Sequence, residues 1–106
     1  MSASSVLILA AMSRTTFLFV FAYDVARDRA RSRLHDMLAE TLVRVQDSVF
    51  EGRLTPREAD RLFERAAALI GPDDTLRLWA VGADGLARCR ACGGPPVPEA
   101  RAFHLF

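Results

Sequence analysis

The chain predicts an α+β sandwich of order βαββαβ with one further short strand near its carboxyl end, the split βαβ plan of ferredoxin-like domains. Three observations carry that expectation. A solid apolar run, Phe17-Leu18-Phe19-Val20-Phe21-Ala22-Tyr23, ends abruptly on the carboxylate of Asp24. Two later stretches, Ala30 to Leu42 and Ala59 to Ile70, hold apolar residues at helical spacing. Short alternating runs lie between and after them.

The first strand is expected over Thr16 to Tyr23. Its run is too short for a membrane helix and rich in aromatic and branched side chains, as in a strand buried on both faces. After a short loop, Asp28 is a candidate N-cap, and Ala30, Leu34, Met37, Leu38 and Leu42 make the apolar stripe of a first helix. Arg31 and His35 lie beside that stripe, while Arg29 and Arg33 form a row towards solvent. Val43-Arg44-Val45-Gln46 and Val49 to Leu54 read as two strands meeting at the tight corner Asp47-Ser48, because the alternation slips phase there. Thr55-Pro56-Arg57-Glu58 is a capping box with proline at the first helical position. It opens a second helix whose stripe is Ala59, Leu62, Phe63, Ala66, Leu69 and Ile70, and Gly71-Pro72 stops it. Thr75 to Val81 alternates as a strand, Gly82 to Gly85 is a turn, and Leu86 to Ala91 is the expected fifth strand.

Two helices cover only one face of a four-stranded sheet. The apolar first strand needs both faces covered, so a two-fold homodimer packed sheet to sheet is expected.

Length and composition set the frame. A chain of 106 residues is one domain, burying about two-thirds of its unfolded surface. Its net charge of +1 gives no global positive field to advertise nucleic acid. All fourteen basic residues are arginine. Codon usage of a GC-rich genome accounts for that, and the bidentate guanidinium also suits phosphate; the two readings are compatible. Cys89 and Cys92 form a lone C-x-x-C, read as incidental thiols in a reducing cytoplasm. Zinc would need two more ligands, from a partner subunit or from His104.

Residues 1–15 are expected to be a disordered or non-native extension, with Met12 as an alternative start. The apolar run Val6 to Met12 has no positive charge before it and is interrupted by Arg14, so neither a secretory segment nor a membrane span is expected. Residues 16–94 form the domain. Residues 95–106 are a proline-rich spacer and an apolar tail whose Phe103, Leu105 and Phe106 are expected to dock on a partner.

Asp24 is the candidate centre. A charge against such a run costs several kcal/mol, roughly, unless a cation or hydrogen bonds compensate it. In a sheet-to-sheet dimer two copies of Asp24 would approach a shared axis and either raise a pKa or recruit a divalent cation. The alternative is that Asp24 caps a turn or pairs with a nearby arginine. Arg27, Arg29, Arg31 and Arg33 crowd the start of the first helix, opposing its dipole unless phosphate binds there. A solvated face balanced by Asp28 and Asp36 is the equal alternative. Arg44 alternates with apolar neighbours and can reach a nucleic-acid backbone or a partner. No Ser-His-Asp set, glycine-rich phosphate loop or nucleotide fingerprint is present.

Tyr23-Asp24-Val25, then Arg31 and Arg33, then Arg44-Val45-Gln46-Asp47-Ser48-Val49-Phe50-Glu51 resemble the CRISPR-associated protein 2 family, over roughly Thr16 to Gly94. The resemblance implies a ferredoxin-like homodimer that bridges two dimers of the CRISPR-associated protein 1 integrase. That assembly captures short duplex DNA and inserts it as a new spacer. It also implies a magnesium- or manganese-dependent endonuclease acting on RNA or duplex DNA, with Asp24 as the catalytic, metal-binding residue near the dimer axis. Tyr23, Arg31, Arg33, Arg44, Ser48 and Phe50 fall on its other characteristic positions. The chain departs from the family in its leading extension and its lack of lysine. A free-standing metal-dependent ribonuclease of the VapD-toxin type, which shares this fold, is the alternative.

Overall fold

The computed structural model describes residues 15–98. Residues 1–14 of the expected extension, and the tail with Phe103, His104, Leu105 and Phe106, lie outside the described residues.

Strand β1 (Phe17–Asp24) is followed by helix α1 (Asp28–Ala39), strands β2 (Val43–Gln46) and β3 (Val49–Leu54), helix α2 (Pro56–Ala67), strand β4 (Thr75–Val81) and the short helix α3 (Ala83–Leu86). The sheet order is β2-β3-β1-β4, and every pairing is antiparallel. The α+β expectation is therefore met, with β1 in the interior of the sheet.

Residues opposite each other in an antiparallel pair share a face, so the register sorts the side chains. Phe19 opposes Gly52 and Ala80, and Phe21 opposes Phe50 and Leu78. Phe19, Phe21, Tyr23, Phe50 and Leu78 meet Leu34 and Leu38 of α1 and Ala59, Leu62 and Ala66 of α2 in one core. Phe21, Phe50, Leu34 and Leu38 are wholly excluded from solvent. Burial of each such side chain contributes about 1.5–3 kcal/mol. Gly52 suits this packing, because a Cβ there would lie 2.7 Å from Leu42 Cδ2 and the leucine would have to shift. The corner between β2 and β3 works through Ser48, which takes φ 67.

Helix α2 begins as its sequence dictates. Thr55 Oγ1 accepts from the Glu58 amide at 3.1 Å, and Glu58 Oε1 accepts from the Thr55 amide at 2.8 Å. Helix α1 differs from expectation. Arg27 occupies the cap position with extended backbone, without a side-chain cap bond, and Asp28 is already helical. The Asp28 carboxylate is engaged one turn on, by Arg31, so it is not free to bond back to the helix amides.

The fifth strand expected over Leu86–Ala91 is not formed. The Leu86 amide bonds to the Gly82 carbonyl at 2.8 Å and the Cys89 amide to the Leu86 carbonyl at 3.0 Å, so the chain closes local turns. The half-buried residues there, Leu86 and Cys89, are three apart. That spacing suits a turn of helix, whereas a strand needs two.

The second face of β1 carries Leu18, Val20, Ala22 and Asp24. Leu18 is 1% exposed, because the chain after α3 returns across it: Cys89, Pro95 and Val97 line one cavity with Leu18, Val45 and Glu51. Further along, the cover ends. Val20 and Ala22 are only half-buried, and Trp79, opposite Val20, is 48% exposed.

Candidate functional site at the end of the central strand

Pleating separates the two residues that end β1. Tyr23 points to the helix side, 7% exposed, and stacks on Phe50 with ring centroids 6.3 Å apart. Asp24 lies on the second face, opposite Thr75, and is exposed.

On the helix side, Tyr23, Arg31, Ser32, His35, Arg44 and Ser48 line a polar cavity of about 450 Å³. The Tyr23 amide donates to the Ser48 carbonyl at 3.1 Å. Burial pushes the Tyr23 phenol above its ordinary pKa, while its hydrogen bond with Ser48 and the charges of Arg44 and Arg31 pull the other way. The positive φ of Ser48 aims both its carbonyl and its hydroxyl at the tyrosine, and such a conformation costs about 1–3 kcal/mol in a residue other than glycine. Phe50 is the floor beneath, with the His35 ring edge-on at 5.3 Å.

The loop after Asp24 is held from two sides. Arg31 Nη1 donates to the Val25 carbonyl at 2.9 Å and the Ala26 carbonyl at 3.3 Å, while Nη2 meets Asp28. From across the sheet, Asp74 accepts from the Ala26 amide at 3.1 Å and the Gly71 amide at 2.8 Å. Those two amide donors hold the Asp74 carboxyl below its ordinary pKa. Asp24 is thereby fixed at a braced rim.

The five candidate arginines fall into two groups. Arg31 is spent on the loop, and Arg44 pairs with Asp47 at 3.2 Å. Arg27, Arg29 and Arg33 are exposed, and among the described residues the side chains of Arg29 and Arg33 have no ion-pair partner. A phosphate backbone can therefore reach Arg29 and Arg33 without displacing an ion pair, while Arg27 also feels the charge of Asp74.

One protomer does not make a closed metal site. Among the described residues no group of three or more His, Cys, Asp or Glu side chains could hold an ion. Asp24 alone offers one carboxylate. A second copy of Asp24 would complete the sparse carboxylate set that magnesium accepts with water.

Two contributors are not marked as site residues by the sequence. His35, which helical spacing puts beside the stripe four residues from Arg31, lines the cavity and packs on Phe50. Asp74 braces the rim from a turn whose Gly-Pro-Asp-Asp composition announced a turn but not its partner.

Residues 17–88 match the family described as CRISPR associated protein Cas2. A Synechocystis sp. protein named CRISPR-associated endoribonuclease Cas2 3 is 34% identical over 84 residues, 78% of this chain and 91% of its own length. A crystal structure of a hypothetical protein from Thermus thermophilus is similar with TM-score 0.67 and 34% identity, covering 79% of this chain and 99% of that one. A chain of a partial Cas6-RT-Cas1–Cas2 complex shares the fold, with TM-score 0.65 and 24% identity over 81% of this chain and 95% of its own. The chain belongs to the CRISPR-associated protein Cas2 family.

Proposed function

We propose that this chain is the homodimeric bridging subunit of a CRISPR spacer-acquisition complex, which grips duplex DNA by its phosphates and assembles with a Cas1-type integrase. The observation that carries the reading is the second face of β1: apolar, covered at Leu18, half-open at Val20, Ala22 and Trp79, and ending in exposed Asp24. A twin sheet laid there removes the exposed apolar surface and brings two carboxylates to one seam. A shared fold with a chain from a Cas1–Cas2 complex supports the integrase as partner. Residues 103–106, with Phe103, Leu105 and Phe106, are the segment we assign to that contact.

The division of labour follows from the geometry. Exposed Arg27, Arg29 and Arg33 meet phosphates, which fixes position without reading bases. Tyr23, Ser48, Phe50 and Arg31 hold the strand end and loop in place. The two Asp24 carboxylates are the residues that would hold a magnesium or manganese ion, which would shield phosphate charge and lower the pKa of coordinated water. The test is reconstitution. Duplex binding should appear when the chain is mixed with its integrase, whereas strong binding of the isolated dimer to one particular sequence would refute the scaffold reading.

A second reading, a metal-dependent endoribonuclease, is favoured by the endoribonuclease and endonuclease names of the relatives. Under it, Asp24→Asn abolishes cleavage of RNA or DNA while the dimer persists; unchanged cleavage would sink it.

A further inference from the structure

The two cysteines, incidental in the sequence, acquire a place in the structure. After α3 the chain crosses the second face of the sheet, and Cys89 and Cys92 both line the cavity of about 360 Å³ over Leu18, together with Gln46, Glu51 and Val97. Both are free thiols, Cys89 half-buried and Cys92 exposed. The Cys89 amide donates to the Leu86 carbonyl at 3.0 Å, which ties this residue to α3 through its backbone, whatever the state of the thiol. Immediately after Cys92 come Gly93 and Gly94, both in the left-handed region at φ 76 and φ 68, with open space where a Cβ would stand. No other regular element holds the segment from Cys89 to Pro98. A dithiol therefore sits at the root of a flap, between an anchor on α3 and a two-glycine hinge, and the flap is what excludes solvent from Leu18.

We propose that Cys89 and Cys92 are a reversible dithiol–disulfide couple that clamps the base of this flap to the α3 turn where it crosses the second sheet face, making that face redox-sensitive. The oxidant is a low-molecular-weight disulfide. The exposed Cys92 thiolate attacks one sulfur of it and expels a thiolate; Cys89 then attacks the mixed disulfide and expels the second. Two protein thiols and one small disulfide become one protein disulfide and two small thiols, and the bond is returned by the reverse exchange. In a reducing compartment such a pair is transient and sensing rather than structural. Clamping shortens the segment between α3 and the hinge and lowers the entropy the flap must lose when a second sheet packs beside it. The consequence for association rests on the homodimer proposed above; the clamp itself does not.

The full-length chain is equilibrated in glutathione buffers from fully reduced to fully oxidised, then read by intact mass, by hydrogen exchange of residues 87–98 and by the dimer dissociation constant. Oxidation should remove two hydrogens per chain, slow exchange in the flap several-fold and tighten the dimer several-fold. Cys89→Ser and Cys92→Ser should show none of these responses. A chain that stays reduced, or stops at a mixed glutathione adduct, overturns the couple. A disulfide with unchanged flap exchange overturns the clamp, and one with an unchanged dimer constant overturns the redox control of the face. A clamp that forms in a chain monomeric in every buffer leaves the couple standing and refutes the dimer reading instead.

Discussion

Tyr23 and Asp24 are consecutive residues that face opposite sides of one sheet, Tyr23 stacked on Phe50 in the core and Asp24 exposed opposite Thr75. Structural and chemical roles at the end of β1 can therefore be separated by mutation. Asp24→Asn removes no buried contact and should change stability by no more than about 0.5 kcal/mol. Tyr23→Ala empties a core position and should destabilise by about 3–5 kcal/mol. Tyr23→Phe keeps the ring and forfeits only the Ser48 hydrogen bond, about 1 kcal/mol. Urea unfolding of the three variants checks this; a large loss in Asp24→Asn would show that the acid carries a structural load.

Gly52 and Leu42 meet too closely in the helix-side core for an added methyl to fit without a shift. With a Cβ at Gly52 2.7 Å from Leu42 Cδ2 and 3.6 Å from Leu42 Cα, Leu42 cannot keep its rotamer. Gly52→Ala should destabilise by about 1–3 kcal/mol through overpacking. Leu42→Ala alone leaves a cavity worth about 2–5 kcal/mol. Combined, the two should lose less than their sum, because the new methyl occupies space the leucine vacates. Strict additivity in thermal or urea melts would place the strain elsewhere.

The legible parts of the fold are those where one local signal suffices. The Thr55–Glu58 capping box, the stripe from Ala59 to Ala66 and the apolar β1 run all appear where the sequence puts them, although the helix ends at Ala67 and Leu69 and Ile70 pack on the core from beyond it. What was not legible depends on who sits across the gap. Asp28 looked like a cap, but Arg31 one turn later competes for its carboxylate and wins. Leu86 to Ala91 looked strand-like until helical hydrogen bonds from Gly82 onward took the backbone. Helical spacing put Arg31 beside the stripe and Arg33 towards solvent, but it did not give Arg31's partners, the Val25 and Ala26 carbonyls, which take it out of the phosphate-binding group. The site was thus readable as a list of residues but not as two opposed faces.

Acid should act on the two perturbed carboxylates in opposite directions. Asp74 is held below its ordinary pKa by the Gly71 and Ala26 amides. Its contribution is present above the ordinary carboxylate range and is lost as pH falls through that range towards the folded value, below about pH 4. Glu51, on the second face between Val20 and Val43 in register, is pushed above its ordinary pKa by burial. Its contribution is full below the ordinary value and is lost as pH rises through the folded one. Asp74→Asn should therefore flatten the acid limb of a stability–pH curve, and Glu51→Gln should raise stability at neutral pH relative to acid. Thermal melts across the acid range read both, and an unchanged acid limb in Asp74→Asn would show that the Ala26 tether is dispensable.

The arginines give the sharpest contrast, since all four are candidate phosphate ligands by sequence and the structure divides them. Arg27, Arg29 and Arg33 are exposed, whereas Arg31 bonds two carbonyls of the loop that carries Asp24. Replacing the three exposed residues by Gln should leave stability within about 0.5 kcal/mol. Replacing Arg31 by Gln should cost about 1 kcal/mol and loosen the loop. If the exposed group meets phosphates as proposed, each lost contact reduces the slope of log affinity against log salt by about 0.9, so the triple variant should lower it by about 2.7 in the integrase-bound complex. The loss should be the same for unrelated duplex sequences, because phosphates carry no sequence information. An unchanged slope would move the DNA contact off α1 altogether, while a loss confined to one sequence would mean that these guanidiniums reach base edges.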